Sequence, residues 1–216
     1  MTAGGVWTIV VAAGTGSRFG RLKQYERLGD RRVLDWALRA ARSVSDGVVL
    51  VVQPDVIARR EAGADAVVAG GSTRSQSVRA GLAAVPPDAD VVLVHDAARP
   101  LADVELFRRV LAALERGADG AVPGVVPSAT VKRVGPRGQV VETLDRSTLV
   151  EVQTPQGFRA RALRAAHERE PEASDDAGLV EAAGHTVVVV KGDPANLKLT
   201  HPHDLEVARA LLAAMP

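Results

Sequence analysis

Val6-Trp7-Thr8-Ile9-Val10-Val11-Ala12-Ala13-Gly14-Thr15-Gly16-Ser17-Arg18 is the stretch on which the reading of this 216-residue chain turns. Its apolar half has the length and β-branched content of a buried strand. Its second half is a loop of small residues ending in a cation. Glycines let backbone N–H groups come close to an anion, and a guanidinium binds phosphate oxygens in fork geometry. The loop, Ala12, Ala13, Gly14, Thr15 and Gly16 with Arg18, therefore reads as a seat for a polyphosphate. Two common alternatives fail here. A P-loop requires G-x-x-x-x-G-K-[ST], and neither Lys-Ser nor Lys-Thr follows. A dinucleotide fingerprint would put its third glycine at Phe19, and would want an acid after the second strand, where Gln53-Pro54 stand.

Along the rest of the chain, Val-rich runs at 6–12, 48–52, 66–69, 91–95, 119–125 and 186–191 alternate with helical patterns. The runs are apolar throughout, as strands of a sheet covered on both faces must be. Leu34, Ala37, Leu38 and Ala41 recur at helical spacing, as do Val104, Phe107, Leu111 and Leu114. Leu205, Ala208 and Leu212 do so after His201-Pro202, where proline suits a first helical turn. The fold class is α/β, with a mostly parallel twisted sheet in one domain over residues 1–216. One segment, 127–152, breaks the rhythm. Thr130 to Val134 and Gln139 to Leu144 alternate around Gly135-Pro136-Arg137-Gly138, which predicts a β-hairpin. A lone hairpin is marginal in water, so the insertion needs cover. It either lies on its own domain or, the reading preferred here, is an arm docking on a second subunit.

Composition removes whole classes of function. The net charge of +1 gives no global field toward nucleic acid or an acidic membrane. Absence of cysteine removes disulfides, thiolate metal sites and a thiol nucleophile. Met1-Thr2-Ala3-Gly4-Gly5 lacks the basic region of a signal peptide, and no apolar run reaches membrane-spanning length. A cytoplasmic protein is expected. Ligands of open α/β sheets bind beyond the carboxyl ends of the strands. Four polar clusters fall at such ends: the Gly14 loop with Lys23-Gln24-Tyr25; Gly70-Gly71-Ser72-Thr73-Arg74-Ser75-Gln76-Ser77; His95-Asp96-Ala97-Ala98-Arg99-Pro100; and Asn196-Leu197-Lys198-Leu199-Thr200. Ser72 or Thr73 is the expected N-cap of the helix carrying Val78 and Leu82. His95 is assigned a structural place at the end of its strand. Together the clusters gather Arg18, Lys23, Arg74, Arg99 and Lys198 around one crevice, which favours a substrate carrying several phosphates.

These motifs, in this order and with Thr154-Pro155-Gln156 between the hairpin and the last cluster, resemble the 2-C-methyl-D-erythritol 4-phosphate cytidylyltransferase family. The resemblance runs from about Trp7 to Ala210. It implies a Rossmann-like nucleotidyltransferase fold, a homodimer joined by the arm, magnesium, and cytidylyl transfer from CTP to methylerythritol phosphate in isoprenoid biosynthesis. By position, Arg18 and Lys23 resemble the pair that stabilises the transition state at the α-phosphate. Ala13, Gly14, Gly71 and Ser77 resemble cytidine contacts, with Arg74 nearby. Asp96, Arg99, Thr130, Arg146, Thr154 and Lys198 resemble residues that hold the sugar phosphate, some of them supplied across the dimer. Two departures stand out. Phe19-Gly20-Arg21-Leu22 is about two residues shorter than the family's usual stretch before the lysine, with Leu22 in place of a proline. Ala129 replaces the usual Asp before Thr130.

The residues suit that chemistry independently. A phosphate monoester has its second pKa near 6, so it is already nucleophilic at neutral pH. No general base is required, in keeping with the lack of a Ser-His or Cys-His pair. The remaining need is alignment of two anions and relief of charge at phosphorus, which fixed cations supply. Mg2+ would sit mainly on the triphosphate oxygens and call for few protein ligands. Two alternatives stay open at this level: a cytidylyltransferase for another polyol phosphate such as ribitol 5-phosphate, and a non-catalytic nucleotide-binding regulator. Ala98 and the arm are where the first would differ.

Overall fold

The computed structural model describes residues 5–57, 61–168 and 172–215. Residues 1–4, on which the signal-peptide reading falls, lie outside them. The chain runs through β1 (Val6–Val11), a small hairpin of β2 (Arg27–Leu28) and β3 (Arg31–Arg32), and helix α1 (Val33–Arg42). Next come β4 (Gly47–Val52), β5 (Ala66–Ala69), α2 (Arg74–Ala84), β6 (Val91–Asp96), α3 (Val104–Glu115) and β7 (Gly120–Val125). They are followed by β8 (Lys132–Val134), β9 (Val140–Thr143), β10 (Glu151–Val152) and β11 (Gln156–Arg159). Then stand α4 (Ala160–His167), α5 (Asp176–Ala182), β12 (Val187–Lys191) and α6 (Pro202–Ala213).

Across the main sheet the order is β12-β7-β11-β6-β1-β4-β5, and β10 pairs β7 at Glu151 and Val152. β6, β1, β4 and β5 are parallel neighbours, as are β7 and β12. β11 runs antiparallel between β6 and β7, and β10 is antiparallel to β7 as well. All six apolar runs of the sequence are strands of this sheet. β11 is the strand the periodicity did not reveal, because Gln156-Gly157-Phe158-Arg159 carries a single large apolar side chain.

The pleat explains the unbroken apolar runs. Val10, Val48, Leu50 and Leu93 face α1 and α3, where Leu34, Leu38, Leu106, Phe107 and Val110 close one core. Their neighbours Ile9, Val49, Val51, Val92 and Val94 face α2, α4 and α5, against Val78, Leu82, Leu163 and Val180. Alternate residues thus serve opposite cores, and each fully buried aliphatic side chain contributes about 1.5–3 kcal/mol. A third cluster joins Phe19, Leu28 and Val33 to Leu101, Leu199, Leu205 and Ala208, tying the first loop to the segment before α6. Phe19, at the position a dinucleotide fingerprint would give to glycine, is therefore a core anchor.

The predicted hairpin is present. β8 and β9 form a separate two-stranded sheet, with Arg133 and Glu142 paired across it at 3.0 Å. Every residue of both strands is exposed, and Val134, Val140 and Val141 show 59%, 60% and 61% of their surface.

Chain direction fixes where a ligand can sit. From β1 the connections run one way to β4 and β5, and the other way to β6. The switch point lies between β1 and β6, whose carboxyl ends carry the Gly14 loop and Asp96. This is the crevice at which such sheets bind ligands.

Candidate active site

Beyond β1 the backbone keeps one more sheet bond, from Ala12 N–H to the carbonyl of Val51 at 2.7 Å, and then turns away. Gly16 makes the turn. Its φ is +68°, and a Cβ there would lie 2.0 Å from the carbonyl oxygen of Arg21. Gln24 is buried and donates to the carbonyls of Ala12 at 2.9 Å and Gly14 at 3.3 Å. Among the described residues, the backbone N–H groups of residues 13–18 meet no protein acceptor. The carbonyls of Ala12, Gly14 and Gly16 are tied down and the donors are not. That is the polarity an anion seat requires.

The second loop lies against the first. A Cβ on Gly70 would meet that of Ala13 at 2.4 Å, so the two loops share one wall. Of the two candidate caps, Thr73 is the one used: its side chain accepts from Gln76 N–H at 3.1 Å. Its carbonyl takes the Ser77 hydroxyl at 2.9 Å. The N-terminus of α2, with its partial positive charge, thus opens on the same space.

That space is a cleft of about 560 Å³, well within the range of small-molecule sites. It brings together Ala12, Ala13, Gly14, Thr15, Gly16, Arg18, Lys23, Gly71, Arg74, Ser77, Asp96 and Lys198. Four cations line it against two carboxylates, Asp96 and Asp55. Lys198 donates to Asp96 Oδ2 at 2.6 Å, while Arg74 lies 3.5 Å from Asp96 Oδ1 and 2.7 Å from Asp176. Burial opposes a charge on Asp96, but Lys198, Arg74 and Arg99 outweigh it and hold the carboxyl well below the usual range. Arg18 and Lys23 have no ion-pair partner among the described residues. Burial pushes the Lys23 amine down from its ordinary value, and repulsion from Lys198 and Arg18 pushes it further. The short stretch before Lys23 still delivers it: a 3₁₀ turn over Lys23–Tyr25 brings the ammonium to the cleft wall.

The remaining candidates lie elsewhere. Thr154 is under the floor, not on it. Its Oγ1 accepts from Asp96 N–H and contacts Nδ1 of His95, both at 3.0 Å. Arg99 donates to the carbonyls of Asn196 at 2.7 Å and Val152 at 3.3 Å, beside the cleft. Both prop the Asp96–Lys198 pair from behind. Leu199 N–H to Ala98 carbonyl, at 2.8 Å, fixes the Lys198 segment to the end of β6. His95 is fully buried on Phe107 at 5.2 Å between ring centres, as its place at the strand end predicts. Thr130 and Arg146 do not line this cleft; Arg146 donates to the carbonyls of Ser128 and Pro127 at the arm's own base. Gln24 and Asp176 are the structural partners that motif reading passed over. Gln24 stood beside Lys23 in the sequence, and Asp176 carried no signal, since the short helix it opens was not itself read from the sequence.

A switch-point cleft with an amide-lined loop and unpaired cations defines a nucleotide-binding α/β protein built for phosphate chemistry. Comparison with known proteins narrows this further. Residues 6–214 match the family described as IspD: 2-C-methyl-D-erythritol 4-phosphate cytidylyltransferase, and the chain belongs to that family. A Rhodococcus jostii protein named 2-C-methyl-D-erythritol 4-phosphate cytidylyltransferase is 43% identical, over 97% of this chain and 96% of that protein. A bifunctional enzyme IspD/IspF from Clavibacter michiganensis is also 43% identical, over 95% of this chain. The chain spans about half the length of such bifunctional relatives, 54% in that case. The crystal structure of 2-C-methyl-D-erythritol 4-phosphate cytidylyltransferase from Thermus thermophilus superposes with a TM-score of 0.81. It is 34% identical and covers 95% of this chain and 98% of its own.

Proposed function

We propose that this chain transfers a cytidylyl group from CTP to 2-C-methyl-D-erythritol 4-phosphate, giving 4-diphosphocytidyl-2-C-methyl-D-erythritol and pyrophosphate. One observation carries the reading: the free N–H groups of the Gly14 loop share a single cleft with Arg18, Lys23 and the Asp96–Lys198 pair. Ala12 to Gly16, Gly71, Ser77 and Arg74 receive the nucleotide. Arg18 and Lys23 face the α-phosphate, and Lys198 draws the sugar phosphate in line behind it. The phosphate monoester attacks the α-phosphorus and pyrophosphate leaves. No proton has to be taken from the attacking dianion, so the protein's work is alignment and charge relief.

Magnesium belongs to this reading as a companion of the triphosphate. The cleft offers Asp96, already engaged by two cations, and Asp55, and no group of three carboxylate or imidazole ligands occurs among the described residues. Such a donor set fits an ion that keeps most of its coordination on phosphate oxygens and water, and Mg2+ has that habit. When bound it would offset triphosphate charge.

The protein is proposed to act as one nucleotidyltransferase domain and as a homodimer. The exposed valines of the arm and the absence of its residues from the lining of its own cleft support a second subunit as cover, with Thr130 and Arg146 reaching the neighbour's site. A cytoplasmic setting suits these substrates. No helix among the described residues is long and apolar enough to cross a membrane. Pyrophosphate release from CTP, measured with methylerythritol phosphate and with ribitol 5-phosphate, tests the assignment. Release with the first alone is expected. Release with ribitol 5-phosphate alone, or with neither, overturns it.

A further inference from the structure

Arg74 is tied to a helix that does not line the cleft. Asp176, in the first turn of α5, is 0% exposed and is absent from the cleft wall. Its Oδ2 accepts from Arg74 Nη1 at 2.7 Å, and its Oδ1 lies 3.1 Å from Nε2 of His167, itself buried at the end of α4. Both carboxylate oxygens are thus spent on protein partners, and Nε2 of His167 carries the proton of its bond. On its other edge Arg74 meets Asp96 at the longer distance of 3.5 Å, while the second oxygen of Asp96 holds Lys198 at 2.6 Å. A continuous chain, His167–Asp176–Arg74–Asp96–Lys198, runs from α4 and α5 into the cleft.

The distances decide which carboxylate controls the guanidinium. Arg74 rests on Asp176 and only leans toward Asp96. Coulomb attraction falls with separation, and the charge-assisted hydrogen bond is made on the Asp176 side. Without a charge at position 176, Arg74 would be drawn onto Asp96 and would compete there with Lys198. We infer that Asp176, steadied by His167, is a positioning residue for the cleft: it holds Arg74 off Asp96, leaving Asp96 free to hold Lys198. The names of the two substrates in the test rest on the cytidylyltransferase reading above.

Asp176→Asn is the informative change, because an amide has one acceptor oxygen where Arg74 and His167 each present a donor. The expected result is a rise of about tenfold in KM for methylerythritol phosphate and a similar weakening of CTP binding, with kcat changed far less. CTP binding is read by calorimetry, without the second substrate. A merely structural role would lower the melting temperature and the active fraction, hence kcat, and leave KM and Kd alone. That pattern would overturn the inference. The double variant Arg74→Gln/Asp176→Asn, in which neutral groups replace the ion pair, gives a second route should the single variant not fold. If Asp176 acts through Arg74, the double variant matches Arg74→Gln alone in KM and Kd; a further loss sinks the idea. If the wild-type protein binds CTP but releases no pyrophosphate with methylerythritol phosphate, the functional reading fails by itself, and CTP calorimetry still decides the role of Asp176.

Discussion

Lys23 shows how the fold leaves a charge unspent. Lys198 has Asp96 and Arg74 has Asp176, but Lys23 has no such partner among the described residues, and burial, Lys198 and Arg18 depress its pKa. A cation kept short of counter-charge is poised for charge that arises during reaction. Lys23→Ala should therefore reduce kcat on the order of 100- to 1000-fold while changing CTP binding much less. Steady-state kinetics with calorimetric CTP titration check this. Near-normal turnover with a raised CTP requirement would reduce Lys23 to a binding residue. His95 makes the opposite use of burial. Enclosure pushes its pKa down from 6.5 to about 4, so protonation favours the unfolded chain between those values. Its contribution is complete above about pH 6.5 and is lost as pH falls toward 4, on the order of 3 kcal/mol in all. Melting temperature should fall across that window, and His95→Gln should flatten the fall. A wild-type curve already flat there would remove the claim. The candidate site was legible where charge stands at a strand end or on the loop that leaves it, as at Asp96, Arg18 and Lys198. It was not legible at Thr154 and Arg99, because sequence gives the position of a strand end but not which way each side chain turns. There Thr154 turns under Asp96, and Arg99 turns to the carbonyls of Asn196 and Val152.

At the scale of elements, the Gly14 loop is held by its geometry more than by its composition. Gly16 sits at φ +68° with the Arg21 carbonyl in the space of a Cβ, and its own carbonyl accepts from Phe19 and Gly20 N–H at 2.9 Å. Gly16→Ala adds the strain of a left-handed non-glycine residue to a direct clash. CTP affinity should weaken by about tenfold or more. The far-UV spectrum should be unchanged, since the sheet does not depend on the loop. Unaltered affinity would mean the loop is not the phosphate seat. The six parallel strands were readable because burial on both faces leaves a run of valines with no polar interruption. α5 was not, because it is seven residues long and carries its core contribution in Ala177, Leu179 and Val180 alone. β11 was hidden for a related reason. Wedged between β6 and β7, it needs glycine at position 157, where a Cβ would strike Val110 at 2.4 Å and Leu93 at 2.9 Å. Close packing there selects against the bulky residues that mark a strand.

In the molecule taken entire, the cleft of one chain lacks two residues that the family resemblance assigns to it. Thr130 and Arg146 stand on or beside an arm that leaves the cleft of its own chain, and the arm's valines are left uncovered. A closed two-fold assembly resolves both at once, because crossing arms exchange the same segment between identical sites. The proposal can be tested without a structure of the dimer. An Arg18→Ala chain and an Arg146→Ala chain should each be nearly inactive alone. In a mixed dimer with crossed arms, one site holds both lesions and the other holds neither. Equal mixing through an unfolding and refolding step gives mixed dimers as about half of the population, so recovered activity should approach about a quarter of the wild-type value. If Arg146 serves its own chain, every site in every dimer keeps one lesion and nothing returns. Because the two variants are isobaric, one chain carries an affinity tag, and mass measurement then confirms that mixed dimers have formed. Mixed dimers that form and stay inactive would refute the shared site, yet leave cytidylyl transfer standing, because the Gly14 loop, Arg18, Lys23 and Lys198 meet within a single chain.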